Sequence, residues 1–418
     1  MNINELLNGR KCECGRTHTC AIKHIAICEG ATEKLAEMTN GYKNILITAD
    51  KNTYRVCGEK VKSVCAGKTE EVFVFDDEGI LVPNEIATEK LKSRVSEKTD
   101  LIIGIGSGVI QDLCKYVSYL CKLPYFIVAT APSMDGYASV GAAMIAGNMK
   151  VTYSAHVPEA IIGDVDVLKN APMDLIKSGY GDILGKYSCL NDWKLSALVN
   201  GEYFCNYVYD LTYDMLLRTK GLGEKLLKRD AESIKTLMEA LVGVGIAMAY
   251  VGNSRPASGS EHHLSHYFEV VGIMKNEPYF LHGIDVCCSA VLTEKMREEL
   301  IAAKAPQSLK AFDEKEWEDE IRRVYLNAAD GVIELQSRLG WHRENRLPIY
   351  REKWDEIREI LKEAPSSEEL VGYLKTVELD MNDFEKQYGS EKISDAKKYA
   401  MDLKDRYTVL WLYNELAH

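Results

Sequence analysis

The stretch Leu101-Ile102-Ile103-Gly104-Ile105-Gly106-Ser107-Gly108-Val109-Ile110-Gln111-Asp112 decides the reading of the fold. The apolar run over 101–105 reads as a buried strand, and the glycines that follow read as a turn opening a helix. At such a turn, backbone N–H groups can approach a pyrophosphate. The pattern departs from the G-x-G-x-x-G fingerprint, because valine stands at 109 where the third glycine belongs. A tight strand-to-helix turn with nothing bound is the competing reading.

Working outward, similar runs flank this one. Ile45-Leu46-Ile47-Thr48-Ala49-Asp50, Val72-Phe73-Val74-Phe75 and Tyr125-Phe126-Ile127-Val128-Ala129 read as strands, with helical patterns over 84–96 and 112–121 between them. Alternating strand and helix signals imply a parallel sheet with crossover helices. After about Asp166 helical patterns dominate: 173–195, 230–251, 283–303, 314–339, 349–362 and 390–415. The expected architecture is an α/β N-terminal dinucleotide-binding domain (1–165) followed by an all-α C-terminal metal-binding domain (166–418). No Gly/Ser linker separates them, so tight packing around a cleft is expected. A length of 418 residues fits two domains.

Composition narrows the class. A net charge of -12 argues against a nucleic-acid partner. No apolar run has the length of a membrane span, and the first residues do not read as a signal peptide. A cytoplasmic enzyme is expected, and a homodimer by the prevalence of two-fold assemblies. The twelve cysteines read mostly as reduced, buried thiols. One cluster, Cys12-Glu13-Cys14-Gly15-Arg16-Thr17-His18 with Cys20, could hold zinc. Its spacing is wrong for a C-x-x-C knuckle and no second pair follows nearby, so the plain reading is a short hairpin or loop.

Candidate site residues fall at strand ends and in the helical half. Asp50 closes its strand, where an acid can accept from ribose hydroxyls and disfavour a 2′-phosphate, or simply cap a helix. Thr130, Ser133, Asp135 and Ser139 cluster after the strand at 125–129, at the carboxyl edge where open α/β sheets bind ligands. An Asx turn at Asp135-Gly136 is the plain alternative there. His262 and His266 are four apart and would share one helix face, leaving His263 pointing elsewhere. With His282 downstream and Asp182 upstream, early in a helix pattern, they suggest a metal site. One carboxylate and two imidazoles leave a divalent ion an open position. H-E-x-x-H is absent, so peptidase chemistry is unsupported. Arg255 could meet a phosphate or form a salt bridge.

With these residues in view, the chain resembles the glycerol-1-phosphate dehydrogenases, within the wider group of iron-type alcohol dehydrogenases, glycerol dehydrogenase and dehydroquinate synthase. Matching segments are 103–108, 130–139, 150–158, 171–173, 178–186, 254–266 and His282-Gly283, and the bacterial branch looks closest through 12–18. The resemblance implies a dehydroquinate synthase-like fold and reduction of dihydroxyacetone phosphate to sn-glycerol 1-phosphate by NADH or NADPH. It implies Asp182, His262 and His282 as ligands of one divalent metal, zinc first, with nickel or iron as alternatives. It implies Asp50, Gly106, Ser107, Gly108, Asp112, Thr130, Ser133 and Ser139 as cofactor contacts. Asp135, Asp182 and His266 would meet the substrate, and His266 could pass a proton. The rival readings are a glycerol dehydrogenase acting on the free polyol, a dehydroquinate synthase-like cyclase, and a non-catalytic metal- or nucleotide-binding protein.

Overall fold

The computed structural model describes residues 2–76, 79, 81–146 and 149–416. It divides into two compact units. One comprises Met1–Ile183 with Asp210–Ser254, the other Leu184–Tyr209 with Arg255–His418.

The first unit is built on a six-stranded, wholly parallel sheet. A two-strand hairpin of β1 (Arg10–Lys11) and β2 (Thr17–His18) precedes it. The sheet strands are β3 (His24–Cys28), β4 (Ile45–Asp50), β5 (Thr69–Phe75), β6 (Leu101–Gly106), β7 (Tyr125–Ala129) and, after the hairpin β8 (Gly141–Ala146) and β9 (Met149–Ser154), β10 (Ala160–Asp164). Their spatial order is β3-β10-β7-β6-β4-β5. Side chains alternate between the faces as the pleat requires. Ile45, Ile47, Ala49, Ile103 and Ile105 pack on one side with Cys57 and Val61 of helix α1 (Lys51–Val64). Leu46, Ile102 and Tyr125 pack on the other, against α2 (Glu85–Lys92) and α3 (Gly108–Cys121). Burial on both faces explains why these strands read as continuous apolar runs.

All four expected strands form, and the parallel sheet is as read. Strands β3 and β10 went unread. They pair with each other in parallel, from Ala160 with His24 to Asp164 with Cys28, a pairing that local pattern does not reveal.

Chain order reverses beside β4. The chain steps from β4 out to β5 and then returns to β6 on the opposite side. Open sheets bind ligands outside the carboxyl ends at such a reversal. The ends that meet there are Asp50 on β4 and Gly106 on β6, adjacent in register through Ala49 and Ile105.

Two further helices of this unit fix the loop after β7. They are α4 (Met173–Leu184) and, beyond α5 (Lys186–Asn200) and α6 (Asn206–Thr219), the 21-residue α7 (Ala231–Val251). A Cβ on Gly179 of α4 would lie 1.8 Å from the Pro132 carbonyl oxygen. One on Gly245 of α7 would lie 2.9 Å from the Asp135 carbonyl oxygen. Backbone contact at these two glycines sets where Asp135 stands. Helix α7 is long and apolar enough to cross a membrane, yet it is mostly buried as a core helix.

The second unit is helical, as expected. It holds α5, α8 (Ser260–Lys275), α9 (His282–Ala302), α10 (Glu314–Tyr325), α11 (Ala329–Leu339), α12 (Leu347–Leu361), α13 (Ser367–Thr376), α14 (Met381–Tyr399) and α15 (Val409–Glu415). Three long helical patterns break. The 173–195 pattern divides at Gly185, the 314–339 pattern at Leu326 with φ +46°, and the 390–415 pattern becomes α14, kinked at Gly389, followed by α15.

A buried charge cluster ties this unit together. Arg297 on α9 donates to Asp192 Oδ1 at 2.8 Å, Asn191 Oδ1 at 3.0 Å, Ser188 Oγ at 3.0 Å and Glu294 Oε1 at 2.6 Å. Asp192 on α5 also accepts the backbone N–H of Ser260 at 2.7 Å and of Val409 at 2.9 Å. One guanidinium therefore faces two buried carboxylates. Desolvation is the main cause that pushes Glu294 up to about 8, outweighing the Arg297 charge that pulls it down.

Two predictions follow from these contacts. Gly179→Ala should cost at least about 2 kcal/mol, because its methyl meets backbone that cannot repack, and thermal unfolding measures it; an unchanged melting temperature contradicts the close approach. For Glu294, the folded chain holds a proton that the unfolded chain releases between its ordinary 4.5 and about 8. That contribution is full below the lower value and is lost as pH rises through the upper one. Wild type should therefore lose more stability than Glu294→Gln between about pH 5 and about pH 9. Parallel pH profiles for the two would contradict it.

Candidate metal and dinucleotide site

In the first unit the glycine turn forms as read. Gly106 ends β6, Ser107 precedes α3, and Gly108 begins it. A Cβ on Gly106 would lie 2.5 Å from Ile110 Cβ, so only glycine lets α3 fold back this tightly on its strand. Gly108 has no such conflict, its nearest neighbour being Met134 at 3.5 Å. The Gly106 carbonyl accepts Thr130 N–H at 3.1 Å, which draws the loop after β7 to the turn. Asp50 is the N-cap of α1: its Oδ1 accepts from Asn52 N at 2.8 Å and Thr53 N at 2.9 Å, and Thr53 closes a capping box.

The loop over 130–139 is nearly all buried. The Ser178 hydroxyl donates to the Ser133 carbonyl oxygen at 3.1 Å. Asp135 donates its backbone N–H to Asp182 Oδ2 at 2.9 Å. Asp182 stands near the end of α4, not early in a helix, and is fully buried. A buried carboxylate is costly in low dielectric unless hydrogen bonds and a cation compensate it.

A residue that sequence reading missed holds this loop. Lys115 of α3 is fully buried and donates to Gly136 O at 3.0 Å, Ser139 Oγ at 3.0 Å and Gly141 O at 2.8 Å, with Asp112 Oδ1 at 3.6 Å. Burial lowers its pKa, while Asp112 and Asp135 pull it back up. The Ser139 hydroxyl is thereby engaged with the chain itself. The only signal in the sequence is a lysine inside the otherwise apolar stretch 113–121.

In the second unit, His262 and His266 share one face of α8, and His282 opens α9. The three rings cluster: centroids lie 5.1 Å apart for His262 and His282, 5.7 Å for His266 and His282, and 5.9 Å for His262 and His266. Glu261, also unread in the sequence, lies 2.6 Å from His262 Nδ1 and accepts Gly259 N–H at 2.9 Å. A carboxylate on Nδ1 leaves Nε2 unprotonated, the usual arrangement of a metal-binding histidine. The donor set therefore fits a divalent ion of the zinc, iron or nickel class. His263 lies fully buried, its pKa held far down by burial first and then by Lys404, Arg406 and Arg255.

Arg255 is buried. It donates to the carbonyls of Asp192 at 2.8 Å and Tyr407 at 2.9 Å and pairs with Glu202 at 3.2 Å. The salt bridge read as an alternative is thus present, but in the interior. Two other cations join the segment before α8: Lys404 Nζ donates to Ser258 Oγ at 3.2 Å and Arg406 to Ser258 O at 2.9 Å. Burial and the facing Arg255 push Arg406 down to about 10.

Residues 26–172 match the family model for iron-containing alcohol dehydrogenases. The fold is that of a halo-thermophilic archaeal alcohol dehydrogenase from a Red Sea brine pool, with a TM-score of 0.64 at 14% identity, covering 97% of this chain and 99% of that one. The glycerol-1-phosphate dehydrogenase (NAD(P)+) of Bacillus licheniformis is 30% identical over 97% of this chain and 92% of its own length. That of Halalkalibacterium halodurans is 29% identical over 99% of both. The chain belongs to the glycerol-1-phosphate dehydrogenase family, NAD(P)-dependent oxidoreductases of the iron-type alcohol dehydrogenase group.

Lys115→Met should release the 136–141 turn. Three acceptors lose their donor, so a loss of about 3 kcal/mol is expected in chemical denaturation, together with faster proteolysis at that turn. Wild-type stability and resistance in that variant would show that the lysine does not hold the loop.

Proposed function

We propose that the protein reduces dihydroxyacetone phosphate to sn-glycerol 1-phosphate with NADH or NADPH, at a divalent metal held by Asp182, His262 and His282. The observation that carries this reading is near full-length similarity to dehydrogenases of that name, in a chain whose His262 and His282 rings lie 5.1 Å apart. The ion is zinc, with nickel or iron(II) able to use the same donors. Asp50, Gly106, Ser107, Gly108, Asp112, Thr130, Ser133 and Ser139 contact the dinucleotide. The carboxylate of Asp50 favours NAD over NADP.

The reaction converts the C2 ketone to the secondary alcohol with NAD(P)H oxidised to NAD(P)+ and one proton taken up at the oxygen; when bound, the dinucleotide would supply the hydride and the divalent cation would supply Lewis acidity toward that oxygen. The Asp135 backbone N–H orients the Asp182 carboxylate, and Glu261 orients His262. His266, one helical turn from His262, passes the proton, and the Asp135 side chain accepts from a substrate hydroxyl. Lys404 and Arg406 offer the phosphate a cationic partner next to Ser258, which is what favours the phosphorylated ketone over the free one.

The test follows the near-ultraviolet absorbance of the reduced nicotinamide with metal-loaded protein. Oxidation with dihydroxyacetone phosphate and little with dihydroxyacetone is expected. His282→Ala should lose both metal and turnover while remaining folded, and Lys404→Met should raise KM for the phosphorylated ketone about tenfold, consistent with loss of a charge-assisted hydrogen bond. Preference for the free ketone, or full activity of a metal-free His282→Ala protein, would overturn the reading.

A further inference from the structure

The N-terminal hairpin carries chemistry that the dehydrogenase reaction does not use. Residues Arg10 and Lys11 pair with His18 and Thr17, and the turn between is closed by Cys12 N–H to Arg16 O at 3.0 Å and Gly15 N–H to Cys12 O at 3.1 Å. Gly15 sits at φ +84°, the left-handed conformation that bends the chain back. This turn carries Cys12 and Cys14 toward His18 at the end of the opposing strand. One ligand atom from each of the three lies within 4.8 Å of the others. The expectation of a short hairpin holds, but the convergence of its donors was not legible from C-x-C spacing. Cys20 is not among the converging donors.

The protonation of His18 is set by its surroundings. Its Nδ1 lies 3.1 Å from the Tyr250 carbonyl oxygen, which can only accept, so Nδ1 carries the proton. Nε2 then keeps its lone pair, and it is Nε2 that faces Cys14 Sγ at 3.4 Å. With metal–sulfur of about 2.3 Å and metal–nitrogen of about 2.0 Å, a tetrahedral angle separates the two donors by about 3.5 Å. The imidazole is fully buried and stacked on the Tyr250 ring, with centroids 5.3 Å apart. A histidine locked by a backbone carbonyl and aimed at a thiol is the outer-shell arrangement of a metal ligand.

We propose that Cys12, Cys14 and His18 hold a structural zinc ion. No disulfide joins the twelve cysteines, so the thiols can ionise to bind. Two thiolates and one imidazole are donor types that select zinc over harder cations. The role is mechanical. A ladder of two residues per strand is too short to persist unaided. The ion ties it, through His18 and Tyr250, to the end of α7, the helix whose Gly245 positions Asp135.

Cobalt substitution of the full-length chain tests this, because only a thiolate site gives sulfur-to-cobalt charge-transfer absorption. Asp182, His262 and His282 contain no sulfur, so the two sites are distinguished even if the dehydrogenase reading fails. One charge-transfer equivalent per chain is expected in wild type and in His282→Ala, and none in the Cys12→Ser/Cys14→Ser double variant. If the double variant does not fold, wild-type protein is titrated with a mercurial, and one equivalent of zinc should be released as the thiols react, read with a chromophoric chelator. Absence of the band in wild type, its persistence in the double variant, or no zinc release would overturn the proposal.

Discussion

A carboxylate with no exposure to water must be compensated, and Asp182 is such a group. Its Oδ2 accepts the backbone N–H of Asp135 at 2.9 Å. With the bond from Ser178 Oγ to the Ser133 carbonyl, this bond links α4 to the loop leaving β7. The loop can approach only because Gly179 and Gly245 have no side chain to hold it away. From the other side Lys115 fastens the same loop with three hydrogen bonds. Packing, hydrogen bonding and charge thus agree on one position for Asp135 and Asp182. In the proposed chemistry, a divalent cation on that carboxylate would supply the compensating charge.

The helical unit prepares its donors by the same logic. Asp192 and Arg297 sit in the interior, where either charge alone would be very costly. Together they fasten α5, the first turn of α8, α9 and the start of α15. The first turn of α8 carries Glu261 and His262. Its rigidity keeps the His262 ring within 5.1 Å of His282, and Glu261 fixes which nitrogen is available. The imidazoles of His262 and His282 are borderline donors suited to a zinc, iron or nickel ion.

The sequence made much of this visible where one-dimensional pattern and three-dimensional role coincide. Strands β4, β6 and β7 are buried on both faces and therefore read as apolar runs, and the turn at Gly106 reads directly because only glycine fits there. His262 and His266 read as a pair because helical spacing alone puts them on one face. Residues that act through burial stayed hidden. Lys115 and Glu261 resemble ordinary charged residues until folding removes their water. The helix break at Leu326 was equally silent, since the helical pattern over 314–339 runs through it. Asp50 shows the opposite limit: its two readings, helix cap and ribose acceptor, use the same carboxylate, and the cap is the one made within the chain.

The most direct measurement is diffraction from crystals soaked with NADH and a non-reducible analogue of dihydroxyacetone phosphate, with data above and below the zinc, iron and nickel absorption edges. The account predicts one anomalous peak bonded to Asp182, His262 and His282, with the analogue between it and the nicotinamide. A substrate analogue bound beside the nicotinamide with no anomalous density at those three residues would contradict it.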